Sequence, residues 1–345
     1  MTVASASRVM AHRRGAKIAQ ETGSLFDRAF GPIQHDLQAV TDRLLEKLTD
    51  PVAWKVVYLI TAGGKRLRPA LVLLTGSLGP RPHRAALIDT AAAVEMIHTA
   101  TLIHDDIIDQ STLRRQQPTF HHRWGTERAL LMGDYLYATA FTLVTSLETP
   151  YAMRVIAGVC QELSRGELLE VESRYRLDLS EAEYVRIIGD KTASLIGGCC
   201  RTGAHLGGSD QPTIDRLASF GYNFGLAFQI VDDCLDLTGN QREMGKSIHT
   251  DLDRGAVSLP IIYLAQSLSA RQRRTLFAPL RTQAREPAFM TRIAKAAVAA
   301  GAVAKAEERA RDFVRAAIEA LRDVPAHPVS QVLAELAEYA VTRRS

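Results

Sequence analysis

The segment Ala85–Ile108 constrains this chain more than any other. Leu87, Ala91, Val94, His98, Thr101 and Asp105 follow at alternating spacings of four and three residues, so they share one helical face. That face is apolar below, turns polar near its top, and finishes in Asp105-Asp106-Ile107-Ile108-Asp109. Alanine fills much of the rest, so neighbouring helices can approach closely. An ordinary core helix does not normally end in three carboxylates.

The remainder of the chain supplies the neighbours. From about Ser24 onward good helix formers recur, interrupted by Thr49-Asp50-Pro51, Gly79-Pro80-Arg81-Pro82, Thr149-Pro150 and Gly207-Gly208-Ser209-Asp210-Gln211-Pro212. Such strings start or break helices. Strand alternation bounded by hairpin turns is absent, and so are tandem repeats and composition shifts. The reading is therefore all-α. A chain of 345 residues could hold two domains, but the sequence is even enough to assign 24–345 to one helical domain. Residues 1–23 read as a basic, disordered tail. Met1 to Gln20 carry Arg8, Arg13, Arg14 and Lys17 but no acid. A transit peptide has that composition, yet no leader-like apolar segment accompanies it. No apolar run reaches the roughly 18 residues of a membrane span, so the expected location is cytoplasmic.

Composition excludes some functions. A net charge of +4 is too small to argue for nucleic acid. Cys160, Cys199, Cys200 and Cys234 form no CxxC pair and have no histidine at zinc-ligand spacing. They read as buried thiols in a reducing compartment.

The chemistry lies in carboxylates. Asp105 and Asp109 are four residues apart, one turn along one side, with Asp106 offset by one. The pattern recurs as Asp232, Asp233 and Asp236 in Phe228-Gln229-Ile230-Val231-Asp232-Asp233-Cys234-Leu235-Asp236. Carboxylates this close repel unless a cation intervenes. Oxygen-only clusters suit Mg²⁺, which substrate phosphates usually complete. One such string is more often a solvated helix end; two, each after an apolar helical run, point to function. Cations accompany them: Gly63-Gly64-Lys65-Arg66-Leu67-Arg68-Pro69, Arg114-Arg115, Lys191-Thr192 and Gly245-Lys246. Guanidinium groups take phosphate bidentately and lysine acts as a point charge. Acids plus cations imply a metal-bridged diphosphate.

These strings, with HTATLIHDDIIDQSTLRR, GDYLY, KTASL and GKS…DL, resemble the trans-prenyltransferase (polyprenyl diphosphate synthase) family from about Ala62 to Pro260. The resemblance implies an isoprenoid-synthase helical bundle, usually a homodimer, with two aspartate motifs facing a central cavity. It implies that Asp105, Asp106, Asp109, Asp232, Asp233 and Asp236 hold about three Mg²⁺ on an allylic diphosphate. Arg114, Lys191 and Lys246 match its allylic-diphosphate contacts. Lys65, Arg68, His98 and Arg115 match its isopentenyl-diphosphate site, and Thr192, Phe228 and Gln229 the residues beside the reacting carbon. The activity implied is condensation of isopentenyl diphosphate with a farnesyl or geranylgeranyl primer. Two departures stand out. Ala256 and Ser258 replace the family's lysine and threonine in Asp251-Leu252-Asp253-Arg254-Gly255-Ala256-Val257-Ser258-Leu259-Pro260, and Gln116 replaces the glycine after the arginine pair.

Product length is partly legible. In the family the product grows from the first aspartates towards this helix's N-terminus. Farnesyl synthases tend to place an aromatic floor at the positions of Ala100 and Thr101. Small residues there look like the long-chain synthases, with Ile97 and Val94 as deeper floor candidates; a short-chain synthase is the alternative. A terpene cyclase would not need GGKRLRP, and an HD-type phosphohydrolase would not need the second aspartate cluster. A non-catalytic subunit of a heteromeric synthase should have eroded aspartates, and all six are intact.

Overall fold

The computed structural model describes residues 25–61, 65–114, 117–238, 252, 254–281 and 287–342, without the side chains of 25–27, 281, 287 and 288. The tail assigned to residues 1–23 lies outside them. Among the described residues the chain is all-α, as the sequence predicts. The exception is a short antiparallel ribbon, in which Leu113–Arg114 pairs with Gln117–Pro118. The chain divides into two compact units. One comprises residues 1–153, 202–211 and 325–336; the other comprises 154–201, 212–324 and 337–345.

In the first unit the alanine-rich segment forms the helix Arg84–Ile108, hereafter the first aspartate helix. His83 caps its start, accepting from the Ala86 N–H at 3.2 Å. Ala91, Ala92, Ala93 and Ala100 are wholly buried, and the helices Leu67–Ser77, Thr126–Thr145 and Gln34–Lys47 pack around it. Val94, Met96, Ile97 and Ile103 are also fully buried, each stabilising the fold by about 1.5–3 kcal/mol. This is the one described helix long and apolar enough to cross a membrane, where the sequence reading expected none. Yet 67% of its most apolar window is buried inside the protein, as in a core helix.

This helix ends on a Schellman turn. Gln110 adopts φ 52°. Its N–H donates to Ile107 O at 3.1 Å, and the Ser111 N–H donates to Asp106 O at 2.9 Å. Glycine usually occupies that left-handed position; here glutamine does.

In the second unit the helix Gln211–Thr238 carries the other aspartates. Phe220, Phe224, Ala227 and Ile230 bury its inner face. At Gly225 a Cβ would come within 2.6 Å of the Ala193 Cα, so only glycine permits this crossing. The helix Glu181–Ile188 starts with a capping box between Ser180 and Glu183, which satisfies two otherwise orphaned donors. It runs into a five-residue π segment, Gly189–Ala193, and then into Ser194–Leu206.

Candidate active site

Each aspartate string sits on a helix. Asp105, Asp106 and Asp109 close the first, which ends at Ile108, and Asp232, Asp233 and Asp236 lie in the last two described turns of the second, Gln211–Thr238. At the first helix's C-terminus the partial negative charge adds to the repulsion among Asp105, Asp106 and Asp109 and favours an incoming cation.

Each string turns its second aspartate inward. Asp106 is 2% exposed. Arg114, on the ribbon, donates its Nε to Asp106 Oδ1 at 2.9 Å, and its Nη2 lies 2.8 Å from the same oxygen. Burial raises the Asp106 pKa, and the Arg114 hydrogen bonds pull it partly back. Asp233 is also buried. Its partners are neutral: Tyr184 Oη donates to Oδ2 at 2.7 Å and Gln229 Nε2 donates to Oδ1 at 2.8 Å. Burial pushes its pKa up to about 7 against those two hydrogen bonds, with Asp232 adding to the rise.

Asp105, Asp109, Asp232 and Asp236 stay partly exposed. They form two i,i+4 pairs whose oxygen donors suit Mg²⁺ with its retained waters. Among the described residues no three His, Cys, Asp or Glu side chains converge into a closed metal cage. Two such pairs leave coordination positions that water and substrate oxygens can fill.

The cations are placed as follows. Lys65 is exposed at the start of the Leu67–Ser77 helix. Arg68 Nη1 donates to His98 Nε2 at 3.1 Å, which joins two of the residues matched to the isopentenyl-diphosphate site. Lys191 sits in the π segment, with its Nζ 2.8 Å from Glu167 Oε2 and in contact with Glu170. Gly166 makes room for it, because a Cβ there would stand 2.4 Å from the Lys191 backbone nitrogen. Thr192 Oγ1 donates to Gln229 Oε1 at 2.9 Å, so Tyr184, Asp233, Gln229 and Thr192 form one hydrogen-bonded chain. The Phe228 ring meets Phe224 edge-on, with centroids 6.1 Å apart. Arg115 and Lys246 lie outside the described residues. On the first aspartate helix Ala100 and Ile97 are buried, and half-buried Thr101 donates its Oγ1 to His98 O at 2.8 Å.

With the motifs so placed, the sequence matches the family model for polyprenyl synthetase over residues 51–300. The chain belongs to the polyprenyl synthetase family. It is similar to nonaprenyl diphosphate synthase of Mycobacterium tuberculosis, 34% identical over 89% of this chain and 91% of that one. It is 38% identical to component 2 of heptaprenyl diphosphate synthase from Geobacillus stearothermophilus, over 67% of this chain and 73% of the relative. A geranylgeranyl diphosphate synthase from Saccharolobus solfataricus is 33% identical over 83% of this chain and 89% of its own. The structure superposes on a Caulobacter crescentus polyprenyl synthase complexed with calcium and isoprenyl diphosphate with a TM-score of 0.89. That match has 32% identity and covers 94% of this chain and all of that one.

This polyprenyl synthetase also holds residues that the sequence reading passed over. Tyr184 fixes Asp233 from another helix, and its phenol is pushed well above its ordinary pKa, chiefly by burial. Glu167 and Glu170 hold Lys191. Their one- and four-residue distances from Gly166 were visible in the string Gly166-Glu167-Leu168-Leu169-Glu170, but a lone acidic pair on a helix carries no chemistry until its cation is placed.

Proposed function

We propose that this chain condenses isopentenyl diphosphate with an allylic diphosphate to make a long-chain all-trans polyprenyl diphosphate. The observation that carries the reading is the pair of aspartate turns on two helices, each with its outer carboxylates left partly exposed. Family membership supports the reaction class, and the heptaprenyl and nonaprenyl relatives support the long product.

Asp105, Asp109, Asp232 and Asp236 are the ligands we assign to Mg²⁺, about three ions by family resemblance, with Asp106 and Asp233 holding the two turns in shape. Mg²⁺, when bound, would neutralise charge building on the departing diphosphate. Arg114, Lys191 and Lys246 bind that diphosphate, and Glu167 and Glu170 hold the Lys191 ammonium in place. Lys65, Arg68, His98 and Arg115 bind isopentenyl diphosphate. Phe228, Thr192 and Gln229 line the reacting carbon, and apolar walls exclude the water that would quench a carbocation. The allylic C–O bond breaks, a C–C bond forms, and the proton lost from the new bond's neighbour goes to the departed diphosphate. No protein base is assigned.

Ala100, Thr101 and Ile97 set the floor depth in this reading. Residues 24–345 act as one prenyltransferase domain in a cytoplasmic homodimer. One observation favours a second assembly: the Geobacillus stearothermophilus relative is a component 2, which points to a heteromeric synthase. The deciding experiment incubates purified protein with Mg²⁺, isopentenyl diphosphate and farnesyl diphosphate and weighs the products. Chains beyond four isoprene units support the long-chain reading. Only a four-unit product sinks it while keeping the reaction. Absence of any condensation by the chain alone favours the heteromer.

A further inference from the structure

We infer that Arg66 is a positioning residue that aims Lys65 and Arg68 at the diphosphate of isopentenyl diphosphate. The inference rests on the proposed function and adds a residue to it.

Arg66 has φ 49° and ψ 35°, a left-handed conformation that L side chains with a Cβ seldom adopt. Such a conformation persists where the surroundings over-determine it, and here they do. Its Nη1 donates to Glu95 Oε1 at 2.8 Å, and its Nη2 donates to the carbonyl of Ile60 at 2.5 Å. The Glu95 partner comes from the first aspartate helix. The Ile60 partner comes from the preceding helical segment, Val57–Thr61. Both side chains of the ion pair are largely shielded, 20% exposed for Arg66 and 14% for Glu95.

The consequence falls on its neighbours. Glu95 and His98 are three residues apart, so they lie on one face of their helix. Arg66 docks on the first and Arg68 on the second. The two contacts make parallel rungs between the start of the Leu67–Ser77 helix and the first aspartate helix. The left-handed residue is the N-cap of the helix that begins at Leu67, with Lys65 exposed just before it. Arg66 does not itself take phosphate in this account, because two acceptors already occupy its fork. Lysine could not replace it, since a point charge lacks the planar fork that bridges a carboxylate and a carbonyl.

The test is steady-state kinetics of Arg66→Ala, Arg66→Lys and Glu95→Gln beside the wild type. We expect Arg66→Ala to raise the KM for isopentenyl diphosphate about tenfold or more while leaving the KM for farnesyl diphosphate within about twofold. Arg66→Lys should not restore it. The double variant Arg66→Ala/Glu95→Gln should be no worse than Arg66→Ala, because both remove one contact. Glu95→Gln and Arg66→Lys carry the test if Arg66→Ala does not fold. An unchanged KM, a parallel rise in both KM values, rescue by lysine or simple additivity overturns the inference. If the wild type does not condense at all, the functional reading fails separately. Calorimetric titration with inorganic diphosphate then decides: weaker binding by Arg66→Lys than by wild type upholds the positioning role. Equal binding, or none by wild type, overturns it.

Discussion

The two aspartate turns share a sequence pattern and a helical setting, but they bury their second carboxylates differently. Asp106 meets the guanidinium of Arg114, so its charge is answered by a charge within eight residues of chain. Among the described residues the hydrogen-bond partners of Asp233 are a phenol brought by long-range packing and an amide from the same helix face. The first turn is therefore electrostatically settled by the protein itself. The second holds a carboxyl whose pKa burial pushes up to about 7, and it gains more from a nearby cation. The lesson is that a repeated motif is not a repeated environment: the same three aspartates are stabilised by an ion pair in one place and by neutral donors in the other.

The largest expected effects come from the outer carboxylates. Asp105→Ala and Asp232→Ala should each lower condensation on the order of 10³-fold, as loss of a transition-state charge stabiliser does. Near-normal product from Asp105→Ala in saturating Mg²⁺ would refute the role of the first turn. Next in size is Arg114→Ala. Removing one partner of a buried pair costs about 3–5 kcal/mol, and the part exposure of Arg114 reduces this to roughly 2–3 kcal/mol. Urea unfolding measures it, and a loss under about 1 kcal/mol would mean the pair is no more than a surface contact. Tyr184→Phe should cost about 1–2 kcal/mol and also lower kcat, because Gln229 and Thr192 lose their anchor. If it destabilises as much as Arg114→Ala, the contrast between the turns fails. The smallest effect is a rate of labelling. Cys234, inside the second string, is 2% exposed and its thiol is driven up chiefly by burial. Folded protein should alkylate there at least about tenfold more slowly than unfolded protein, and fast labelling of native protein would show that the second turn opens readily.

Much of this was open to reading because helical periodicity reports faces. The spacing from Leu87 to Asp105 placed an acidic cluster on top of an apolar stripe, and the structure keeps that helix with its end at Ile108. The pairing of Arg68 with His98 joins residues thirty apart in sequence, which the motif resemblance implied as one site. Other features leave no local trace. Gln110 takes a left-handed turn that glycine would have announced. Tyr184 reaches Asp233 across forty-nine residues from a helix whose sequence reads as an ordinary amphipathic segment. Arg66 looked like one more phosphate-binding cation, and only the placement of Glu95 and Ile60 gives it a different task. These contacts depend on tertiary packing, and periodicity is silent about which faces meet.

The π segment Gly189–Ala193 behaves as an extra residue absorbed by a helix. A wide turn holds one residue more than an α turn, and each helical residue advances the face by about 100°. Loss of a single residue anywhere in that stretch would let the turn relax to ordinary α-helix. The α-helices on either side would keep their register, because a wide turn and an α turn each close one circle, but the widened turn that carries Lys191 and Thr192 would be gone, and Thr192 would lose its place opposite Gln229. The site is thus tolerant of substitutions in that stretch that keep its length, and intolerant of any change in its count.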